Sequence, residues 1–272
     1  MPFPGYYDPT ATQVAADRIA HAGLSSRLWR DFPEGAMANN PGHGFYHLEN
    51  FSEWENLTTT GITAKATFTE STAGQVLNAF GVAGATGPVL ALDSEAGGAD
   101  QGGNLQFLPI GLVPTAGHDI FFEARIAITD AATMPFIYAG LASVNTAIID
   151  GDPKMAVTDW AGFYHITTTG VLTFGVDGGT TQSITTSTIH TMVDAATSAD
   201  GTDWVKVGCR INGTAGGGEY YVNGTLGTDT ITWSNGPDTT LYPSFVCQGG
   251  AAVDTILYVD WYAVGQIPGT TA

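Results

Sequence analysis

Apolar and polar side chains alternate along most of the chain after residue 44, and this period of two predicts β-strands with one buried face. The segment HDIFFEARIAIT shows the alternation most clearly, and WVKVGCRI repeats it. TILYVDWYAV is apolar on both faces except at Asp260, which predicts a strand covered on both sides. Further strands are predicted at GITAKATFT, PVLALD, GNLQFL, FIYAGLAS, AGFYHITT, VLTFGVD, EYYVNG and SFVCQ.

Turn residues separate the predicted strands. Asn223-Gly224 predicts a tight reversal between two antiparallel strands, because both residues tolerate a positive φ. The run from Gly216 to Gly218 is expected to cap a strand junction at which larger side chains would collide with a neighbour. About a dozen short antiparallel strands with little helix are typical of an all-β fold. We therefore predict a two-sheet antiparallel jelly-roll sandwich, with an up-and-down barrel as the main alternative.

The first part of the chain, residues 1–44, follows a different pattern. It is predicted to be an extended or short-helical N-terminal arm, and residues 45–272 are predicted to form the sandwich. Leu28, Trp29 and Phe32 lie among arginines outside the predicted sandwich, and Trp combined with Arg is typical of interface anchors. The arm therefore either wraps its own domain or reaches a partner.

Charge also separates the arm from the body. The formal net charge is -18, and a body this acidic repels a phosphate backbone, so we exclude nucleic-acid binding. Arg18, Arg27 and Arg30 are three of the 8 cations, and within the first thirty residues only Asp8 and Asp17 oppose them. No apolar run approaches the roughly 18 residues of a membrane span, and no basic region precedes an apolar stretch, so we expect neither membrane insertion nor a secretory signal.

Candidate catalytic groups are sparse, and no catalytic residue is predicted. On the strongest strand, Glu123 and Arg125 share a face, and an ion pair between them is expected rather than catalysis. Motifs for nucleotide hydrolysis, serine hydrolases and zinc ribbons do not occur. The closely spaced acids, which are expected to be solvated, are Glu53 and Glu55, Asp93 and Glu95, and Asp150 and Asp152.

No metal or other cofactor is predicted. His43 and His47 have helical spacing, but the glycines around them argue against a helix, and both are expected at a surface or an interface. The loops DSEAGGADQGG, DGDP and SADGTD offer oxygen ligands that suit Ca²⁺, yet none has the EF-hand spacing, so solvated loops are favoured over a calcium site. Cys209 and Cys247 lie in apolar strands and are predicted to be buried thiols, with a disulfide as the alternative.

The order of these segments resembles a known sandwich. FEARIAI, YAGLAS, GTDWVKVGCRING, GGEYYVNGTLG, LYPSFVCQGG and ILYVDWYAVGQI follow one another as in the concanavalin A-like lectin/glucanase fold, the laminin-G-like jelly roll. The resemblance covers roughly Phe45 to Ile267, and this fold hosts lectins, glycosidases, adhesion modules and viral structural parts alike. Laminarinase-like glycosidases of the fold carry Glu-x-Asp-x-x-Glu on one strand, and the chain lacks that pattern.

The whole chain, with its Pro-rich arm and its acidic body rich in Gly and Thr, is similar to decoration or cement proteins of tailed-bacteriophage heads. This resemblance implies a structural virion protein rather than an enzyme, made in the host cytoplasm and placed on the capsid exterior. Its expected partners are the shell of major capsid protein and sibling subunits in a homotrimer. The arm residues expected to bind these partners are Tyr6, Tyr7, Arg18, Arg27, Leu28, Trp29, Arg30 and Phe32.

A carbohydrate-binding, lectin-like adhesion module is the alternative function. In that case glycans are the partners, and tryptophans exposed on a concave sheet would stack on sugar rings. The candidates are Trp54, Trp160, Trp204, Trp233 and Trp261. Trp160, Trp204, Trp233 and Trp261 are expected to pack in the core instead, because a sandwich of this size needs several large side chains there. A glycoside hydrolase of the same fold is the third hypothesis.

Overall fold

The structure is a computed structural model. It describes residues 23–32, 44–52, 66–70, 75–79, 85, 88–94, 102–115, 117–129, 136–145, 149–150, 154–155, 157–165, 171–178, 183–184, 189–192, 204–212, 216–228, 231–233, 236–249 and 255–267. Among these residues, no helix is long and apolar enough to cross a membrane.

The described residues form β-strands joined by turns and loops. The strands are β1 (Phe45–Glu49), β2 (Thr67–Glu70), β3 (Gln75–Ala79), β4 (Val89–Asp93), β5 (Gly102–Gln106), β6 (Asp119–Ile128), β7 (Phe136–Ala142), β8 (Ile149–Asp150), β9 (Lys154–Met155), β10 (Asp159–His165), β11 (Val171–Gly178), β12 (Ser183–Ile184), β13 (His190–Thr191), β14 (Val205–Asn212), β15 (Gly216–Val222), β16 (Thr225–Leu226), β17 (Ile231–Trp233), β18 (Tyr242–Gln248) and β19 (Ile256–Ile267).

Two large antiparallel sheets contain most of these strands. The nine-stranded sheet has the order β16-β15-β14-β6-β19-β4-β3, with β1 added beside β19 and β17 beside β15. The eight-stranded sheet has the order β12-β11-β10-β7-β18-β5-β2, with β13 beside β11. Strands β8 and β9 form a separate pair. The predicted all-β, two-sheet jelly-roll sandwich is therefore confirmed. The predicted boundary between residues 44 and 45 stays a prediction, although β1 begins at Phe45.

The hydrophobic core lies between the two sheets and is built from the alternation read in the sequence. Strand β6 sends Ile120, Phe122 and Ile126 into it, and all three are fully buried. Phe174 and Phe245 enter from the eight-stranded sheet. Each such side chain stabilises the fold by about 1.5–3 kcal/mol when it leaves water, so the facing rows supply the main driving force for joining the sheets.

Strand β19 supports two short neighbours along one side. Its first part pairs with β4, its later part pairs with β1, and β6 runs along the opposite side. The register with β6 shifts between Val259 and Trp261, which makes Asp260 the extra residue of a β-bulge. Val259 and Tyr262 both point into the core, and the bulge leaves Asp260 between them on the outer face. The predicted covering of this strand on both sides is confirmed by its burial.

The predicted turn at Asn223-Gly224 is confirmed. Asn223 has a φ of 50° and Gly224 a φ of 77°, which are the positive values of a type I′ turn. The expectation for the glycine run is corrected, because Gly216, Gly217 and Gly218 lie inside β15 and pair with β17 rather than capping a junction. The glycine run does pass close to β17, since a β-carbon added at Gly217 would lie 3.0 Å from the carbonyl oxygen of Ile231.

Candidate functional site

The outer face of the nine-stranded sheet is covered by residues 23–32, which we call the strap. One helical turn shapes it, since Trp29 N donates to Ser25 O at 3.1 Å and Phe32 N donates to Trp29 O at 3.0 Å. That turn brings Ser25, Leu28, Trp29 and Phe32 to the side facing the sheet, and Arg27 stays exposed. The sequence left open whether the arm wraps its own domain, and for the strap the structure shows that it does.

A buried carboxylate holds the strap. Glu123 on β6 is fully buried, and it accepts hydrogen bonds from Ser25 N at 2.9 Å, from Ser25 Oγ and from Trp29 Nε1 at 2.8 Å. Burial raises the pKa of Glu123, even though Lys206 and the hydrogen bonds from the strap favour the charged form. Lys206 donates from Nζ to Gly23 O at 2.6 Å, and burial lowers its pKa. Two charged groups of the sheet thus hold the strap: Lys206 binds it at Gly23, and Glu123 binds it at Ser25 and Trp29.

Aromatic rings and glycines complete the surface beneath the strap. Trp29 stacks on Phe121 with ring centroids 5.5 Å apart, and Phe32 meets the same ring edge-on at 5.2 Å. A β-carbon at Gly208 would lie 2.6 Å from Leu28 Cδ2, and one at Gly265 would lie 2.4 Å from Phe32 Cζ. The two glycines therefore leave the room that these strap side chains fill. We call the residues under the strap the strap socket, namely Phe121, Glu123, Lys206, Gly208, Tyr221 and Gly265.

The predicted ion pair between Glu123 and Arg125 is wrong. Arg125 Nη1 pairs instead with Asp260 Oδ2 at 2.5 Å, and both side chains are buried. The Arg125 guanidinium also lies 4.7 Å from the centre of the Trp204 ring. The bulge at Asp260 explains the choice, because it places a carboxylate beside Arg125 on the neighbouring strand, while Glu123 is taken by the strap.

The predicted partner-binding residues fall into three groups. Leu28, Trp29 and Phe32 are buried against their own sheet. Arg27 and Arg30 are exposed, and contact with a partner stays a prediction for them. Tyr6, Tyr7 and Arg18 lie outside the described residues.

The outer face of the eight-stranded sheet is built differently. Gly140, Gly162 and Gly175 stand side by side on β7, β10 and β11 and form a row without side chains. Tyr138 lies over this row and donates from its hydroxyl to Leu141 O at 2.7 Å. Burial raises the pKa of Tyr138 well above its ordinary value, so the hydroxyl stays a donor. Trp160 covers the end of the row, since a β-carbon at Gly175 would lie 2.5 Å from its ring.

Beside the aromatic rings is a set of buried uncharged polar side chains that we call the polar patch. It consists of Asn104 and Gln106 on β5 and Ser244 and Gln248 on β18. Gln106 Nε2 donates to Ser244 Oγ and to the carbonyl oxygen of Ser143, both at 3.0 Å. Asn104 Nδ2 donates to the carbonyl oxygen of Asn145 at 2.7 Å, so the segment after β7 lies over the patch.

Two acceptors of the polar patch have no hydrogen-bond donor within the part of the chain that the structure describes. They are Asn104 Oδ1 and Gln248 Oε1, on side chains that are 4% and 6% exposed. Asn104 pairs with Val246, so Gln248 is its diagonal neighbour at roughly 7–8 Å between α-carbons. Phe136 pairs directly with Gln248 and brings a partly exposed ring next to it. Sequence reasoning missed this site, because an Asn and a Gln far apart in the chain carry no recognisable spacing.

The other candidate residues are placed as follows. Cys209 and Cys247 are free and buried, which confirms the predicted thiols. Trp160, Trp204 and Trp261 are buried, but on outer faces of the sheets rather than between them.

The candidate metal ligands do not form a described site. His47 packs with Tyr262 at 5.8 Å between ring centroids. The residues that the structure describes contain no cluster of three or more metal-ligating side chains. His43, the Trp233 side chain, Trp54 and most of the Asp-rich loops lie outside them.

Comparison with known proteins defines the class of fold. No protein-family model matches the chain, and no curated protein sequence matches it. Among solved structures, lectin I from Ulex europaeus in complex with the methyl glycoside of α-L-fucose gives a TM-score of 0.52 at 10% identity, over 83% of this chain and 98% of the lectin. Peanut lectin gives 0.51 at 11% identity, over 84% and 99%. The endo-1,3-β-glucanase from Streptomyces sioyaensis gives 0.51 at 13% identity, over 84% and 98%.

The chain therefore has the concanavalin A-like jelly-roll fold, as its strand order in the sequence indicated. At these identities the likeness establishes the fold alone. Two lectins and a glucanase share it, so the fold by itself does not decide whether this chain is an enzyme. The function has to be argued from the residues on its two outer faces.

Proposed function

We propose that this chain is a carbohydrate-binding protein without glycosidase activity, and that the polar patch on the eight-stranded sheet is its binding surface. The observation that carries the proposal is the pair of buried amide oxygens without a described donor, Asn104 Oδ1 and Gln248 Oε1, next to the ring of Phe136. The likeness to two lectins supports it at the level of the fold.

Sugars supply what this patch lacks. A buried acceptor left without a donor costs about 1–3 kcal/mol, and a ligand that donates a proton to it recovers that cost. The hydroxyl groups of a sugar are such donors, and the apolar face of a sugar ring packs well on an aromatic side chain. Small-molecule sites commonly combine a few placed polar groups with aromatic walls. Neutral amides also suit a neutral ligand better than charged side chains would.

Glycosidase activity is disfavoured by the same surface. Hydrolysis of a glycosidic bond by the common mechanisms needs two carboxyl groups about 5–9.5 Å apart. On the strands of the eight-stranded sheet, the outward-facing side chains that the structure describes include one carboxylate, Asp177. Glu123, Asp119 and Asp260 lie on the other sheet and are engaged with Ser25, Arg210 and Arg125.

A glycan array followed by titration calorimetry tests the proposal. The full chain is expected to bind at least one glycan, and Gln248→Leu or Asn104→Leu is expected to weaken that binding by about tenfold, because one hydrogen bond to a buried acceptor is lost. Gln266→Leu, the same change on the nine-stranded sheet, is the matched control and is expected to leave binding unchanged. An empty array contradicts the function, and equal binding by Gln248→Leu and wild type contradicts the site. Release of reducing ends from β-glucans would contradict the absence of glycosidase activity.

Decoration of a viral capsid is a second proposal, favoured by the uneven charge of the chain. Its arm, residues 1–44, carries three cations and four acids, while the rest of the chain carries five cations and 22 acids, so arm and body differ in the surfaces they suit. Because the strap packs on its own sheet, the truncation that tests this function has to keep residues 23–32. Removal of residues 1–22 keeps Glu123 and Lys206 covered, whereas removal of residues 1–44 would expose both. The shorter truncation is expected to fold and to fail to join purified particles, and normal attachment would contradict an arm-mediated role.

A further inference from the structure

The strap is bound in the way that helical peptides bind grooves. Its contacting residues follow the spacing i, i+3, i+4 and i+7, and the socket offers a specific feature to each of them. Ser25 meets the Glu123 carboxylate, and Leu28 meets the gap above Gly208. Trp29 stacks on Phe121, and Phe32 fills the gap above Gly265. The outer face of the nine-stranded sheet is thus a formed receptor for one short segment of this sequence.

None of the described contacts requires that the strap and the socket belong to the same molecule. The backbone–backbone hydrogen bonds of the strap are internal within the described residues, from Trp29 to Ser25 and from Phe32 to Trp29. Its attachment to the sheet uses side chains, one backbone amide and the carbonyl oxygen of Gly23. The same contacts would form if another copy of the chain supplied the strap.

The chain between strap and sandwich is long enough to reach another copy. The rings of Phe32 and Tyr46 lie 5.6 Å apart, yet residues 33–43 stand between the strap and β1. Fully extended, that stretch spans roughly 40 Å, which is comparable to the diameter of a domain of this size. Docking within one molecule uses only a small part of that reach.

The charges of the chain favour such a contact. The strap, residues 23–32, contains two arginines and one aspartate, and the rest of the chain contains six cations and 25 acids, from totals of 8 and 26. The strap of one copy and the body of another therefore carry net charges of opposite sign. Long-range attraction between them opposes part of the repulsion between two acidic bodies.

We propose that the strap socket also accepts the strap of a second copy, so that subunits assemble by exchanging residues 23–32. Exchange replaces each internal contact with an identical external one, which makes it a low-cost route to an oligomer. A strap attached through a short connector docks in its own socket at an effective concentration of about 1 mM. Exchange therefore requires a comparable local concentration of subunits.

A pair of chains, each with one introduced cysteine, tests the exchange. The native Cys209 and Cys247 are buried in the folded chain, so oxidation follows refolding. A β-carbon at Gly224 would lie 3.8 Å from Ser25 Cβ, which is a suitable separation for a disulfide. Chains carrying Ser25→Cys and chains carrying Gly224→Cys are unfolded together, refolded at about 1 mM, matching the local concentration set by the connector, and oxidised. Neither chain can form this bond internally, so a mixed covalent dimer reports a strap docked on another copy. Chains carrying Val144→Cys, an exposed position just after β7 of the other sheet, replace the Ser25→Cys chains as the control.

We expect mixed dimers from Ser25→Cys with Gly224→Cys at a yield at least severalfold above the control. A yield equal to the control overturns the proposal. Because cysteine at the positive φ of Gly224 strains the turn, a second measurement uses chains without that change. Tagged and untagged wild-type chains are refolded together and captured by the tag. Co-capture that is lost when both chains carry Trp29→Ala and Phe32→Ala supports exchange, whereas monomers alone, or co-capture that persists in those variants, overturns it.

Discussion

The central part of the outer face is buried on both sheets, but by different chemistry. On the nine-stranded sheet, a separate segment of the chain lies over ionisable groups, and Glu123, Lys206, Arg125 and Asp260 are all buried there. On the eight-stranded sheet, rings from the strands themselves cover the glycine row, and the buried polar groups around them are mostly neutral.

This difference indicates which of the two faces can lose its covering residues without unfolding of the sheet. Uncovering a charge restores its hydration, so a strap over Glu123 and Lys206 can leave without stranding polar groups in an apolar environment. The rings of Tyr138 and Trp160 belong to central strands and cannot leave without breaking the sheet. A ligand for the eight-stranded sheet must instead satisfy the polar groups beside these rings, where two acceptors already lack a described donor.

The largest effect is expected from breaking the buried ion pair of the nine-stranded sheet. Asp260→Ala leaves Arg125 buried without its carboxylate and should reduce the free energy of unfolding by about 3–5 kcal/mol. The double variant Arg125→Met with Asp260→Leu removes both charges and is the control, which should lose less than the single variant. Urea denaturation at pH 7 measures both. A loss below about 1 kcal/mol for Asp260→Ala would show that the pair is not needed.

The next effect concerns the strap. Glu123→Ala removes the acceptor of Ser25 N, Ser25 Oγ and Trp29 Nε1 and should cost about 2–4 kcal/mol, less than the loss of Asp260, because the strap can lift and hydrate its donors. Glu123→Gln keeps an acceptor in place and should cost far less. The measurement is hydrogen exchange of the backbone N–H of Ser25 and of the indole N–H of Trp29. Unchanged protection in Glu123→Ala would contradict the role given to this carboxylate.

A matched pair of glycine variants compares the two faces directly. Gly140→Ala places a β-carbon 2.5 Å from the backbone of Gly162 and should lower stability by about 1–3 kcal/mol, because neither backbone can yield. At Gly208 the nearest atom is Leu28 Cδ2, at 2.6 Å, the end of a flexible side chain of the strap. Gly208→Ala should therefore loosen the strap and cost less. Thermal unfolding gives the ranking, and the reverse order would contradict it.

The smallest effect expected is a dependence of stability on pH. The pKa of Glu123 is raised in the folded state, so the folded protein holds this proton more tightly than the unfolded chain. The resulting stabilisation is complete below the ordinary pKa of 4.5 and is lost as the pH rises through the raised value. Lys206 has a lowered pKa, so its contribution has the opposite sign: it is complete above the ordinary pKa of 10.5 and is lost as the pH falls through the lowered value.

Glu123→Gln removes the acidic part of this dependence, and it also lowers the pKa of Lys206 further, because the charge of Glu123 favours the charged form of Lys206. The difference in urea midpoint between wild type and Glu123→Gln should therefore shift with pH above about 4.5, in the sense that wild type loses stability as the pH rises. A difference that stays constant from pH 4 to pH 8 would contradict the raised pKa.

The sequence predicted the long strands and the five-residue strands β4 and β5, but it missed β1 and β3. Strands β6, β14 and β19 carry enough alternating residues for the period of two to be read, and each was predicted. The alternation in β3, which has 5 residues, is too short to distinguish from a loop. The turn at Asn223-Gly224 was predictable because its conformation depends on two adjacent residues.

The contacts of the outer faces could not be read in this way. Ser25 and Glu123 are 98 residues apart, and their contact depends on a strap whose destination the sequence left open. The prediction that Glu123 pairs with Arg125 failed because residues two apart on one strand compete with closer neighbours across the sheet. Asp260 became such a neighbour through a bulge, and one extra residue in a strand leaves no mark on the hydrophobic pattern.

The position of Gly23 determines which face of the molecule is turned outward when the chain is tethered at this residue. Lys206 holds the carbonyl oxygen of Gly23 on the outside of one layer, and the polar patch lies on the outside of the other. Immobilising a chain shortened to begin at Gly23, on a bead, a sensor surface or a scaffold, should therefore display the polar patch on the side away from the support.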